Sequence, residues 1–186
     1  VREEALAHGR HQDDQYIVRR SPRAEACVLE ALRMHPPLDG PSNAMTATRQ
    51  FSLLKGRFAL PEGTLVMPLY RKAVRRSMEA SGQFSDLDQF QPDRWLTKGE
   101  DGTTVVDIEM KNRYTLAFGS GPRRCPGQDL AKTQAVMLLS EIARSFASVR
   151  FDPAWAGHQG ELVGEQLKLT MEPTNLRLLF ESGFSL

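Results

Sequence analysis

Apolar residues that recur every three to four positions predict two helices in this chain. Ser21-Pro22 begins the first, because serine is a good N-cap and proline is favoured at the first helical position. This helix has to stop by His35, since two prolines follow. Its predicted apolar face consists of Ala24, Cys27, Val28, Ala31 and Leu32. The second helix has a stripe at Ala131, Ala135, Leu138, Leu139, Ile142 and Phe146. We interpret both faces as core packing.

Shorter apolar stretches predict strands. Alternation between residues 50 and 70, interrupted by turn residues, predicts a small sheet. Residues 166–170 and 175–180 are apolar-rich and predict a hairpin joined through Glu172-Pro173. The remaining polar and turn-rich stretches predict a short exposed helix and two loops, in chain order 1–15, 96–112 and 149–160. The predicted fold class is therefore mainly α with small β-sheets.

Composition narrows the class of protein. The 186 residues suit one domain or most of one, and 40% hydrophobic with 25% charged residues is ordinary for a globular protein. A net charge of +1 gives no reason to expect binding to nucleic acid. Two cysteines do not make a disulfide framework, and no apolar run approaches the ~18 residues that span a bilayer. The chain starts on Val1, so we expect further sequence upstream.

The stretch from Phe118 to Gly127 carries the most distinctive chemistry. It places Cys125 among prolines and glycines, directly after two arginines and just before the second helix. Such a loop is rigid, and arginines, backbone dipoles and a helix start favour the thiolate form that binds metals. A glycine-rich loop with an incidental cysteine is the alternative on composition alone. The spacing F-x-x-G-x-R-x-C-x-G, with every fixed position filled, favours a cysteine ligand.

This spacing resembles the cysteine-ligand loop of the cytochrome P-450 family, the haem-thiolate monooxygenases. Two further segments support the resemblance. Glu30-Ala-Leu-Arg33, followed by Met-His-Pro-Pro, resembles the family's E-x-x-R helix. Residues 90–95, Phe-Gln-Pro-Asp-Arg-Trp, resemble its F-x-P-x-R-W segment. The resemblance implies the family fold, with these elements, the long helix and a terminal hairpin in its C-terminal part.

The resemblance also implies a haem b cofactor and assigns residues to it. Cys125 would be the catalytic residue and the axial ligand of the haem iron, with Phe118 packed against the same haem face. Arg123 and Arg49 would hold haem propionates, for which a permanently charged guanidinium is well suited. An exposed arginine at a strand start is the alternative for Arg49. The full implied haem-binding set is Phe118, Gly121, Arg123, Cys125, Gly127, Arg49 and Ala131. The implied structural network beneath the haem is Glu30, Arg33 and Arg94.

One region matches the family less well, and others are expected near the substrate. The family often has His-Arg-Asp-Pro near residues 71–88, and this chain has Arg71, Lys72, Arg75 and Arg76 there instead. One of these basic residues would take over the haem contact, and the sequence leaves open which one. By resemblance, residues 41–48 line the substrate cavity, and Leu169 and Thr170 lie near substrate. We interpret Cys27 as a core residue.

The implied function is an oxidoreductase that inserts one oxygen atom from O2 into a small lipophilic substrate. Electrons would come from a redox partner, a reductase supplied by NADPH or a ferredoxin. Two alternatives stay open: a peroxide-rearranging enzyme of the same fold, and a truncated non-catalytic haem-binding remnant.

The sequence lacks one motif that the family carries upstream of E-x-x-R. No Ala/Gly-Gly-x-Asp/Glu-Thr segment occurs, so we expect residues 1–186 to be the C-terminal part of a single cytochrome P-450 domain. Membrane attachment through an N-terminal segment stays open. The cysteine loop Gly-Pro-Arg-Arg-Cys-Pro-Gly resembles that of membrane-bound eukaryotic members more than that of soluble bacterial ones. This resemblance favours the cytosolic face of the endoplasmic reticulum membrane as the location, with the cytoplasm as the alternative.

Overall fold

The computed structural model describes residues 1–7, 20–40, 45–152, 164–167, 171–174 and 177–182. These residues form five α-helices, namely α1 (Arg2–Ala7), α2 (Pro22–Met34), α3 (Tyr70–Ser81), α4 (Ile108–Tyr114) and α5 (Gln128–Ser145). They also form ten short strands, namely β1 (Met45–Thr46), β2 (Phe51–Leu53), β3 (Phe58–Leu60), β4 (Leu65–Val66), β5 (Leu96–Lys98), β6 (Thr104–Val106), β7 (Phe146–Phe151), β8 (Gly164–Leu167), β9 (Met171–Thr174) and β10 (Leu178–Ser182). Two 3-10 turns lie at Pro92–Trp95 and Gly121–Arg123.

All the described strands pair antiparallel in two-stranded sheets. The pairs are β1 with β4, β2 with β3, β5 with β6, β7 with β10 and β8 with β9. The β2–β3 hairpin turns through Leu54 and Lys55 at positive φ and through Gly56 at φ +89°. The predicted small sheet is therefore present as two separate pairs. The architecture is mainly helical with small sheets, as the sequence predicts.

Helix α2 forms where the sequence predicts it, but its buried face differs from the predicted apolar face. Pro22 is the first helical residue, and the N–H of His35 donates to the Ala31 carbonyl at 2.7 Å where the helix ends. Ala31 is exposed and Cys27 is half-buried, whereas the charged pair Glu30 and Arg33 is buried. The apolar pattern misplaced the buried face because this helix buries two paired charges. The remaining buried residues of the helix are Ala24, Ala26 and Leu29.

The hydrophobic core gathers side chains from α2, α3, α4 and the segment between α3 and α4. Its largest fully buried side chain is that of Trp95, in the 3-10 turn that contacts α2. The buried cluster comprises Ala26, Leu29, Val74, Met78, Leu87, Trp95, Val106, Met110 and Tyr114. This core fixes α2 against the residues that lead into the Cys125 loop.

Three local predictions are wrong. Residues 96–112 do not form a loop, since they contain the β5–β6 hairpin and most of α4. The predicted loop at 149–160 begins with the last part of β7, and its residues from 153 onward lie outside the described ones. The predicted terminal hairpin has the wrong partners: Glu172-Pro173 lies inside β9, while β10 pairs with β7. Such pairing depends on contacts distant in sequence, which a local apolar pattern does not reveal.

Helix α5 forms at its predicted place but does not bury its predicted stripe. The buried residues are Val136 and Ser140, and the helix contacts α1 and α2. Ala131 and Leu138 are exposed, and Leu138 exposes 63% of its surface. The other members of the stripe are half-buried. Interpreting the stripe as core packing is therefore wrong for Ala131 and Leu138.

Candidate functional site

The segment from Leu116 to Cys125 closes into a compact loop through its own main chain. The Cys125 N–H donates to the Phe118 carbonyl at 2.8 Å, and the Gly119 N–H donates to the Leu116 carbonyl at 2.8 Å. Gly119 and Gly121 have φ values of +73° and +68°, which side chains with a Cβ rarely adopt. The loop glycines therefore serve a backbone conformation, and the main chain fixes where the cysteine lies.

Cys125 presents an exposed free thiol at the start of α5. Its carbonyl accepts from the Gln128 N–H at 3.3 Å, and the Ala131 N–H donates to the Gly127 carbonyl at 2.9 Å. A Cβ on Gly127 would lie 3.8 Å from the Cys125 Sγ, so the glycine leaves the space beside the sulfur open. The loop and the helix together hold one exposed sulfur at the surface.

The structure brings part of the predicted haem-binding set together in one loop. Phe118 is half-buried, and the side chain of Arg123 is exposed on the 3-10 turn at 121–123. Arg49 is exposed between β1 and β2, and no described contact joins it to the loop. Within the described ranges, neither Arg49 nor Arg123 makes an ion pair, so both guanidinium groups are available for an anion.

The four basic residues near the start of α3 differ in their partners. The main-chain N–H of Arg71 donates to Asp39 at 2.6 Å. Arg75 forms hydrogen bonds with Glu79 and with Asp88, and its bonds to Asp88 hold the pKa of that carboxyl group below its ordinary value. In the described part of the chain, the exposed Lys72 and Arg76 have no ion-pair partner. Which of the four approaches a haem stays open.

A buried ion network surrounds the carboxylate of Glu30, which has no exposed surface. Arg33 donates to it twice, from Nε to Oε2 at 2.8 Å and from Nη2 to Oε1 at 2.9 Å. The Nε of Arg94 donates to Oε1 at 3.1 Å. The three residues assigned to the structural network by their motifs are thus in direct contact.

Two further donors complete the network, and sequence reasoning did not identify them. The indole Nε1 of Trp95 donates to Glu30 Oε2 at 2.8 Å, and the main-chain N–H of Gln91 donates to Oε1 at 3.0 Å. Both residues belong to the F-x-P-x-R-W segment, and its tryptophan and proline were the signal in the sequence that could have pointed to them. The 3-10 turn at Pro92–Trp95 brings Gln91, Arg94 and Trp95 to the same carboxylate.

The electrostatics of Glu30 follow from these contacts. Burial by itself raises the pKa of a carboxyl group, since it removes water from the charged form. Here burial is outweighed by the hydrogen bonds from Arg33, Gln91 and Trp95 and by the charge of Arg33, so the pKa of Glu30 lies below its ordinary value. Glu30 is therefore an ionised, fully bonded acceptor that joins α2 to the segment before β5.

The family model for cytochrome P450 matches residues 1–161, which is most of the chain. The chain belongs to the cytochrome P450 family.

Curated relatives and a solved structure agree with this assignment. A 2-hydroxyisoflavanone synthase of Glycyrrhiza uralensis is 31% identical over 160 residues, which are 86% of this chain and 28% of that protein. A cytochrome P450 monooxygenase of Penicillium ochrochloron is 32% identical over 143 residues, or 76% of this chain and 26% of that one. The chain thus spans between a quarter and a third of these relatives' length. A cytochrome P450 crystal structure superposes with a TM-score of 0.69 at 20% identity, covering 98% of this chain and 37% of the other. The predicted fold class is confirmed.

The residues present fit the haem that the family generally carries. Cys125 offers a single exposed sulfur, and Gly127 places no side chain against it. The unpaired guanidinium groups of Arg49 and Arg123 suit the carboxylates of a porphyrin. Ala131 is exposed one turn into α5, where its small side chain leaves room near the loop.

Proposed function

We propose that this chain carries the haem-thiolate part of a monooxygenase. The enzyme inserts one oxygen atom from O2 into a small lipophilic substrate and takes electrons from a reductase supplied by NADPH or from a ferredoxin. The observation that carries the proposal is the exposed Cys125 thiol, fixed by the Cys125 N–H to Phe118 carbonyl bond at the start of α5. The relative from Penicillium, named as a monooxygenase, supports the same reaction class.

In this proposal each residue of the loop has a distinct task. The Cys125 sulfur, as thiolate, would hold haem b through its iron, and the bound haem supplies oxygen activation favoured by thiolate electron donation. Phe118, half-buried beside the loop, would shield the sulfur from water. Arg123 and Arg49 would orient the haem through its propionates. Gly121 and Gly127 would keep the main chain close to the sulfur, where its N–H groups tune the ligand.

The ion network around Glu30 supports this site without touching the reacting atoms. It joins α2 to the 3-10 turn at Pro92–Trp95 and so holds the core in place beside the residues that lead into the loop. We propose the cytosolic face of the endoplasmic reticulum membrane as the location, with attachment outside these residues. Among the described helices, none is both long and apolar enough to cross a membrane.

The first experiment titrates haem into the purified protein and records the spectrum of the reduced carbon monoxide complex. We expect Cys125→Ser to abolish the absorbance band of the thiolate-ligated complex, because the serine oxygen is a poor thiolate substitute. Cys27→Ser is the matched control, since Cys27 is the other cysteine and lies half-buried on α2. A band that survives in Cys125→Ser would show that the iron has a different ligand.

A second experiment separates the proposed monooxygenase from its alternatives. Turnover that requires O2, a reductase and NADPH supports a monooxygenase. Turnover of an organic peroxide without external electrons indicates the peroxide-rearranging enzyme. Haem binding with neither activity indicates the non-catalytic remnant. Protein that does not bind haem contradicts the monooxygenase and both of its alternatives.

A further inference from the structure

A small, partly open cavity lies beside the residues that lead into the Cys125 loop. It offers about 10 Å³ for the centre of a water molecule, which is close to the least space that one water needs. Its walls come from α2, α3 and the stretch between α4 and Phe118, and they include Arg33, Tyr70, Val74, Tyr114, Thr115 and Leu116. The cavity therefore borders both Arg33 of the Glu30 network and Leu116 at the start of the loop.

Two of the side chains that line the cavity have buried hydroxyl groups without a hydrogen-bond partner among the described residues. They are Tyr114 and Thr115, and Tyr114 is only 3% exposed. The Tyr114 ring is held by the edge of Phe84, with ring centroids 5.5 Å apart, and by the Arg113 guanidinium 5.4 Å from its centroid. A fixed ring cannot easily swing its hydroxyl to another acceptor. Buried hydroxyls in proteins are usually satisfied, often by ordered water.

The cavity also has a charged wall. Arg33 donates to Glu30 through Nε and Nη2, and Nη2 also faces the Gln89 carbonyl at 3.4 Å. No described residue bonds to its Nη1. Arg33 and Arg71 both line the cavity, so a water there lies among two arginine side chains and the hydroxyl-bearing side chains of Tyr114 and Thr115.

We propose that this cavity binds one structural water, which hydrogen-bonds to the hydroxyls of Tyr114 and Thr115 and links the Glu30 network to the Cys125 loop. Tyr114 and Thr115 are then positioning residues, acting on the sulfur through the backbone. The proposed water site does not depend on which reaction the enzyme catalyses. Its effect on Cys125 as a haem ligand rests on the proposed function.

The route from the water to the sulfur is short and made of main-chain hydrogen bonds. The Thr115 N–H donates to the Lys111 carbonyl at 3.1 Å and so ends α4. Next in the chain, the Leu116 carbonyl accepts from Gly119, and the Phe118 carbonyl accepts from Cys125, both at 2.8 Å. A displacement of Thr115 is therefore passed to Cys125, because each bond fixes the next part of the loop.

The direct test is a crystal structure of the purified wild-type protein together with Thr115→Val, Thr115→Ser and Tyr114→Phe. We expect one ordered water within hydrogen-bond distance of both hydroxyls in the wild type. Thr115→Val keeps the shape but removes the hydroxyl, so the water should be lost or fall below half occupancy. Thr115→Ser keeps the hydroxyl and should retain the water. Hydroxyls that bond directly to protein atoms, with no water between them, would overturn the proposal.

The positioning role has its own measurement, the rate at which bound haem transfers to an excess of apomyoglobin. We expect this rate to rise about threefold in Thr115→Val, as for the loss of one neutral hydrogen bond, and to return to the wild-type value in Thr115→Ser. Thr97→Val, at an exposed position on β5, is the control and should leave the rate unchanged. An unchanged rate in Thr115→Val would overturn the positioning role. Wild-type protein that binds no haem would instead refute the proposed function, and the crystallographic test of the water would still stand.

Discussion

Replacing Glu30 by glutamine removes one negative charge from the centre of the protein while keeping the side chain's shape. In the wild type this carboxylate accepts hydrogen bonds from the guanidinium groups of Arg33 and Arg94, the Trp95 indole and the Gln91 main chain. In Glu30→Gln the amide group turns one acceptor oxygen into a donor. The N–H groups that donated to that oxygen then face an NH2 group, which cannot accept a hydrogen bond from them. The guanidinium groups of Arg33 and Arg94 also lose their counter-ion.

The size of the effect follows from burial. Glu30 is 0% exposed, and the side chains of Arg33 and Arg94 are 5% and 6% exposed, so water cannot replace the lost charge. Breaking a buried ion pair by removing one partner costs roughly 3–5 kcal/mol. A domain is typically stable by about 5–15 kcal/mol, so Glu30→Gln should remove a large part of the free energy of unfolding.

Urea unfolding followed by circular dichroism measures this change. Glu62→Gln is the matched control, since Glu62 is exposed in the turn before β4, and it should shift the free energy of unfolding by less than about 0.5 kcal/mol. A loss below about 1 kcal/mol in Glu30→Gln would refute the argument, because it would mean that water or another group compensates the two arginines.

The pH dependence gives a second measurement on the same pair of proteins. Because its contacts hold the pKa of Glu30 below the ordinary 4.5, the folded protein keeps this group ionised where the unfolded chain takes up a proton. The resulting stability is fully present above about pH 4.5 and is lost as the pH falls through the folded-state pKa. Glu30→Gln should lack this acid-dependent component, whereas Glu62→Gln should keep it.

Three further substitutions test separate parts of the structure. Trp95→Phe should lower the free energy of unfolding by about 2–3 kcal/mol, since it leaves Glu30 one donor short and a gap in the core, and urea unfolding measures the loss. Gly121→Ala should cost about 1 kcal/mol in the same assay, purely from its φ of +68°, because no atom lies within 4 Å of the added Cβ. Lys132→Met should raise the free energy of unfolding at pH 7 by up to about 1 kcal/mol, because burial lowers the pKa of this lysine and disfavours its charged form. That gain should shrink as the pH rises towards 10.5.

Each of these results has a contrary outcome. An unchanged stability in Trp95→Phe would contradict the indole bond to the carboxylate. A loss in Gly121→Ala well beyond about 2 kcal/mol would mean that the added Cβ collides with neighbouring atoms. A destabilised Lys132→Met would mean that the ion pair with Asp129, at 3.5 Å, outweighs the cost of burying the ammonium group.

The sequence alone was sufficient for the features whose cause is local. Pro22 and the two prolines after His35 set the bounds of α2, because a proline acts within a turn of its own position, whereas the expected capping bond from the Ser21 side chain is not made. The spacing from Phe118 to Gly127 identified the cysteine loop, since glycines with positive φ and fixed intervals leave a direct trace in the residues. The start of α5 directly after this loop followed from the same reasoning.

Features that depend on distant contacts became clear only in the tertiary structure. The buried face of α2 could not be inferred from apolar periodicity, because Glu30 is buried through partners more than sixty residues away in sequence. The pairing of β7 with β10, and the exposure of Leu138 on α5, likewise depend on which surfaces meet. Local chemistry therefore determined where the sulfur and the charged motifs lie along the chain. Burial and long-range contacts decided which donors bond to the buried carboxylate, because the free energy of a buried charge depends on all its neighbours at once.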